Sequence, residues 1–268
     1  MNRTATRTAR GFTLIEMIGV LAIISTLAAV LVPNVVKGVD EAVMEAEGKD
    51  LTALAGALDT YTTANKRIPN AAGWVAALAG VTSMSSNKVN LNERGFRRGY
   101  YVDPRFFTTT ATAFAGYTQT NGRTTAPVSP RIMIVSDLTR NALAAPTTAA
   151  AFNAIWDQTA AATVKEGARV RVQRIHLGSW FLPVLLTNQF TSAVGYSIEA
   201  RGAISLPAVS AGGGTGITRY LLKGSKVSLR KPPFPAGALE RAVLVTAPRE
   251  LSYVSSGGAT PVFSWSAP

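Results

Sequence analysis

Glu16 is the only charge in a run of 25 residues, FTLIEMIGVLAIISTLAAVLVPNVV, spanning positions 12–36. A helix of about 20 apolar residues crosses a bilayer. A carboxylate inside such a helix is costly and marks a functional position by default. Elsewhere, residues able to do chemistry are sparse. The chain has one histidine, His176, and no cysteine. That composition excludes disulfide frameworks, thiolate zinc sites and clusters of imidazole ligands. Asp137 follows the apolar stretch RIMIV, as a catalytic acid at a strand end would, but a turn or helix-cap role before LTRNA suits it better. His176 lies among alternating residues and reads as a sheet or interface residue rather than a base. Gly212–Gly213–Gly214 lacks the lysine of a phosphate-binding loop. The residues therefore support no enzyme activity, no metal site and no cofactor.

The segment that carries Glu16 has three readings. Arg3, Arg7 and Arg10 precede it and favour a cytoplasmic N-terminus, with the rest of the chain exported. A cleaved secretory signal would have a shorter apolar core and a clean small-x-small site. A plain signal anchor would be better served by leucine at position 16. The third reading must give Glu16 a task. One turn from the helix start, it can also snorkel toward the headgroups.

RGFTLIE, residues 10–16, resembles the class III signal of type IV pilins and type II secretion pseudopilins. The resemblance implies that a membrane peptidase cuts the leader between Gly11 and Phe12 and methylates the new amine of Phe12. Gly11 suits the cut, because its bare backbone can enter a protease site in extended form. Glu16 becomes the fifth mature residue, which in this family pairs with the N-terminal ammonium of a neighbouring subunit. Two opposite charges attract strongly in a low-dielectric setting, and each alone is heavily penalised, so the pair sets register. Pro33 falls where many members carry a helix-weakening proline and is expected to kink or weaken residues 29–33, for local melting during extraction and packing or simply as an interface kink. The implied partners are prepilin peptidase/methylase, further copies of the chain or other pilins, the inner-membrane assembly platform and the lipid bilayer.

Beyond the apolar run, leucines 51, 54 and 58 and Tyr61 recur at helical spacing. The helix is expected to continue to about Asn65, with Pro69 ending it. Residues 50–70 are similar to the end of the long helix in major pseudopilins, and residues 73–80 to their next short helix. The likeness covers residues 11–80. The calcium loop of those proteins is not carried over, because the acids after position 70 are scattered.

The expected fold is α+β and pilin-like, a long N-terminal helix packed on an enlarged antiparallel β-rich head. Its parts are a leader (1–11), a transmembrane helix (12–36), a periplasmic extension (37–68) and a head (69–268). Strands are expected at 132–135, 170–177, 194–200, 217–222, 227–229, 242–246 and 262–265, and a helix at 149–158. Residues 1–70 hold seven basic and seven acidic side chains, so the net charge of +12 resides in residues 71–268. Arg169, Arg171, Arg174, Lys223, Lys226, Arg230 and Lys231 form a basic set that makes DNA a candidate partner. The competing reading is a solvated face, or contacts to the acidic helix of the next subunit, because the acids at 40–50 supply a partner of opposite sign. Two function classes follow. One is a structural subunit of a type IV pilus or secretion pseudopilus in the inner membrane. The other is a membrane-anchored adhesion or DNA-binding protein that uses the same export route.

Overall fold

The computed structural model describes residues 13–108, 114–189, 192–208, 215–230, 239–255 and 261–266. The leader, Gly11 and Phe12 lie outside them. One helix, α1 (Leu14–Asn65), carries both the apolar run and its extension. Its 52 residues span about 78 Å at 1.5 Å per residue. It stays helical through Pro33. Proline cannot donate to the Ala29 carbonyl, and beside it the Asn34 amide donates to the Val30 carbonyl at 3.2 Å. The helix stops at Lys66, whose φ of 51° is left-handed and whose N–H caps the Thr62 carbonyl at 2.9 Å.

The outer half of α1 buries Met44, Glu47, Leu51, Leu54, Leu58 and Thr62. Steps of three and four residues put them on one face. Past the helix come β1 (Arg67–Ile68), β2 (Gly99–Val102), β3 (Tyr117–Thr118), β4 (Arg131–Asp137) and β5 (Val170–His176). β1 pairs with β3, and β2-β4-β5 form a three-stranded antiparallel sheet. Helices α2 (Trp74–Ala79), α3 (Ser86–Asn90) and α4 (Ala149–Asp157) complete this part. β4 is sandwiched, which explains its unbroken apolar run. Ile132 and Ile134 face the leucines of α1, whereas Met133 and Val135 pack against Phe152, Ile155 and Trp156 of α4.

The remaining strands build a second core. They are β6 (Phe181–Asn188), β7 (Val194–Ile198), β8 (Gly202–Leu206), β9 (Thr215–Leu222), β10 (Ser225–Arg230), β11 (Leu239–Val245), β12 (Arg249–Ser255) and β13 (Pro261–Ser266). They form two four-stranded sheets, β11-β10-β7-β8 and β13-β12-β6-β9. Val184, Leu186, Leu221 and Leu251 of one meet Tyr196, Ile198, Val227 and Leu229 of the other. The Tyr196 hydroxyl donates across this core to the carbonyls of Thr187 (2.7 Å) and Leu251 (3.0 Å). The head is thus an antiparallel β-rich assembly with one parallel pair, β6 with β12.

The seven expected strands and the helix at 149–158 are all present, within a few residues at each end. β1, β2, β3, β6, β8, β12 and α3 fall outside the expected stretches. β6 was hidden by Pro183, since proline argues against a central strand. The structure removes the conflict. Pro183 lies opposite Tyr220, whose backbone N–H and C=O both bond Arg123 instead, and the pairing with β12 starts one residue later, at Val184.

Buried carboxylates tie the first core together. Burial alone would raise the pKa of Asp103, but hydrogen bonds from Arg105 (3.1 Å) and Arg131 (2.6 Å) outweigh it and hold the carboxyl below its usual range. Asp137 is held down in the same way by Thr139 and Arg140. A folded-state pKa below the unfolded value gives stability that is full at neutral pH and is lost as pH falls through the folded pKa. The head, released as a fragment from Val39, should therefore keep its urea midpoint from pH 7 to 5. It should lose stability below about pH 4, where unfolded carboxylates begin to bind protons. A midpoint equal at pH 7 and pH 3 would contradict this.

Candidate functional site: the N-terminal helix

Thr13 and Glu16 form a capping box at the start of α1. The Thr13 backbone N–H and hydroxyl donate to Glu16 Oε2 at 2.8 and 2.9 Å, and the Glu16 N–H donates back to Thr13 Oγ1 at 3.3 Å. Two otherwise unpaired backbone donors of the first turn are thereby satisfied. In the single chain, Glu16 folds onto its own helix terminus. The spacing T-x-x-E, Thr13 to Glu16, is the sequence signal for this arrangement, one that the cost of a charge in an apolar run does not reveal.

From Leu14 to Val36 every residue of the helix is exposed, Leu14 at 78% and Val35 at 61%. This helix alone among the described residues is long and apolar enough to cross a membrane. An apolar surface of that extent has no place in water.

Below the apolar run the helix turns acidic, and the head answers it within the same chain. Asp40 accepts from Arg169 at 2.9 Å and also from Arg94, and these cations hold its pKa below the usual range. Lys88 reaches Asp50 at 2.7 Å. Arg98 clamps Glu47 through two bonds, Nε to Oε1 at 2.6 Å and Nη2 to Oε2 at 2.8 Å. Both side chains of that pair are fully buried. Arg98 Nη1 also donates to the Val89 carbonyl at 3.1 Å. Of the basic set, Arg169 is thus engaged by an acid of α1 in the same chain. The sequence did carry a signal for the clamp: Glu47 occupies a core position in the buried stripe of α1.

Other candidates resolve locally. Asp137 accepts from the Thr139 N–H (2.9 Å), the Thr139 hydroxyl (2.6 Å) and Arg140 Nε (3.0 Å), which makes it a turn aspartate. His176 is exposed and sets its ring edge-on to Trp156 at 4.8 Å. Arg174 is engaged by Glu166 at 2.9 Å and by the Trp156 carbonyl. Lys223, Lys226 and Arg230 lie on or beside β10, remote in the fold from Arg169 and Arg171 on or beside β5, and Lys231 lies outside the described residues. Among the described residues no three His, Asp or Glu side chains converge to hold a metal.

A long helix, exposed and apolar in its first half and packed on an antiparallel sheet in its second, defines a pilin-like subunit. Residues 6–32 match the prokaryotic N-terminal methylation motif. The chain is 37% identical over 95 residues to type II secretion system core protein G of Klebsiella pneumoniae, covering 35% of this chain and 68% of that protein. It is 32% identical over 100 residues to core protein G of Escherichia coli strain K12, covering 37% and 69%. No solved structure matches the chain at a significant level. The chain belongs to the type II secretion pseudopilin family.

Proposed function

We propose that this chain is a structural subunit of a type II secretion pseudopilus and has no enzyme activity. Its leader is removed between Gly11 and Phe12 by prepilin peptidase, which also methylates the Phe12 amine. The mature chain waits in the inner membrane, with its N-terminus at the cytoplasmic side and its head in the periplasm. An assembly platform then adds it to a filament of like subunits through α1, where Glu16 meets the Phe12 ammonium of a neighbour and Pro33 lets the helix adapt. The observation that carries this reading is the fully exposed apolar half of α1 with Glu16 at its start. Only a bilayer or a bundle of identical helices covers such a surface without penalty. The match to core protein G favours a secretion pseudopilus over a retractable pilus.

Mass spectrometry of the cell-derived chain tests the processing step. The mature protein should begin at Phe12 and carry one added methyl group. Gly11→Leu should leave the leader attached, because a branched side chain crowds the protease subsites. A chain beginning at Met1 or cut near Ala28 would remove the pseudopilin reading.

A further inference from the structure

Where α1 leaves its apolar run, it does not close against the head. A groove of about 850 Å³ opens between the helix and residues 167–171. The helix side is Val32, Pro33, Val36 and Met44, and Gly167 and Ala168 lie opposite. Val32 is 57% exposed and Val36 is 51% exposed, so this apolar wall faces open space. The rim is charged, and each of its acids already has a cation. Asp40 has Arg94 and Arg169, Glu41 has Lys37 at 3.8 Å, and Glu45 has Lys49 at 2.7 Å. Arg171 also lines the groove, is exposed, and pairs with no carboxylate among the described residues. The rim itself carries Lys37, Arg169 and Arg171 against Asp40, Glu41 and Glu45. Because Arg94 and Lys49 also pair with two of these acids from outside the lining, Arg171 is the rim cation left without a carboxylate among the described residues.

Depth selects the occupant. Counting from Phe12, about 20 helical residues fill the hydrocarbon core of a bilayer. Val32 and Pro33 then sit at its outer edge, with Lys37 and Arg171 at the level of the headgroups. We propose that the groove holds an anionic phospholipid of the outer leaflet. Its acyl chain lies along Val32, Pro33 and Val36, and its phosphate sits beside Arg171 and Lys37. The lipid seats the head on the membrane while the subunit awaits assembly. This inference rests on the membrane-anchored reading of α1.

The chain has no cysteine, so single cysteines can be introduced for labelling. The mature full-length protein would be placed in vesicles with brominated acyl chains, of phosphatidylcholine alone or mixed with phosphatidylglycerol. A fluorophore on Ala168→Cys reports on the groove, and one on Ile23→Cys reports on the span. The Ile23→Cys label should be quenched in both vesicles, and the Ala168→Cys label strongly only with phosphatidylglycerol. Arg171→Gln should raise the phosphatidylglycerol fraction needed for half-maximal quenching about five-fold, the effect of one basic residue at an anionic surface. Arg171→Glu should raise it further. Equal quenching of the groove label in the two vesicle types, or no response to either Arg171 variant, overturns the lipid site while leaving the span intact. Cross-linking of the Ala168→Cys thiol to α1 of another copy, without quenching, assigns the groove to a neighbouring subunit and also overturns it. An unquenched label in the span removes the membrane reading and the lipid site together.

Discussion

Arg98→Ala is expected to destabilise the head by about 3–5 kcal/mol, the usual cost of leaving one member of a buried ion pair behind. Arg98 and Glu47 are both fully buried, and the guanidinium grips the carboxylate through two nitrogens. Removing it strands Glu47 in the stripe that α1 presents to the sheet. It also strands the Lys88 and Val89 carbonyls, to which Arg98 Nη1 donates. Arg98→Lys should recover only part of the loss, because a point charge cannot make the forked contact. Replacing both partners, Glu47→Leu with Arg98→Met, should recover the part of the loss due to the stranded carboxylate, since well-packed apolar residues often match a buried pair, and leave the part due to the Lys88 and Val89 carbonyls. Urea unfolding of the Val39 fragment measures all four proteins. A loss of less than 1 kcal/mol in Arg98→Ala would mean that water reaches Glu47 and that the clamp is ornamental.

Glu16→Val is expected to insert in the membrane and be cleaved normally, because it makes the span more apolar, yet to enter filaments poorly. In the proposed filament the Phe12 ammonium of a neighbour would be buried without its partner, again a loss of about 3–5 kcal/mol. At about 1.4 kcal/mol per factor of ten, addition weakens at least a hundredfold. The capping box allows a sharper experiment. Glu16→Gln keeps a side chain able to cap the Thr13 N–H but removes the charge. Thr13→Ala removes half of the cap and keeps the charge. If Glu16 acts through charge, Gln should fail like Val while Thr13→Ala assembles, and Glu16→Asp should be partly tolerated. If Glu16 acts through the cap, the order reverses. Cross-linking ladders between subunits report the result, and undiminished ladders in Glu16→Val would leave Glu16 as a snorkelling residue only.

The parts that were legible in the sequence are those where one local signal dominates. An uninterrupted apolar run fixes α1, because no charged residue but Glu16 interrupts residues 12–36. β4 and β7 are dense in β-branched or aromatic residues and are buried along most of their length. The illegible parts depend on distant partners. β6 tolerates Pro183 because Arg123, far away in the chain, takes the backbone bonds of Tyr220. Glu47 falls on the stripe of leucines 51, 54 and 58, but nothing local marks Arg98, 51 residues later, as its partner. Two members of the basic set are engaged in the same way, Arg169 by Asp40 and Arg174 by Glu166. Charge counted along the chain shows an excess, but folding brings Arg94, Arg98 and Arg169 onto the acids of α1. The division of the buried residues into separate cores also depends on strand pairing, which composition does not encode.

Chain order gives the two-sheet unit a further meaning. Every strand of the sheet under α1 is finished by His176, and β6 to β13 all follow it. The join is made by Phe181 and Leu222, which contribute to the first core, by Gln119, which bonds Ser225 and the Leu222 N–H, by the paired backbones of Arg123 and Tyr220, and by Lys66, which donates to the Lys223 carbonyl. An addition made downstream, rather than by splitting an existing strand, leaves the helix-bearing part free to keep one geometry while its cargo is exchanged. In the proposed filament, drift in the second unit leaves the exposed apolar half of α1 unaltered. Under the proposed assembly through α1, several such proteins would polymerise by one set of rules and differ only in what they display.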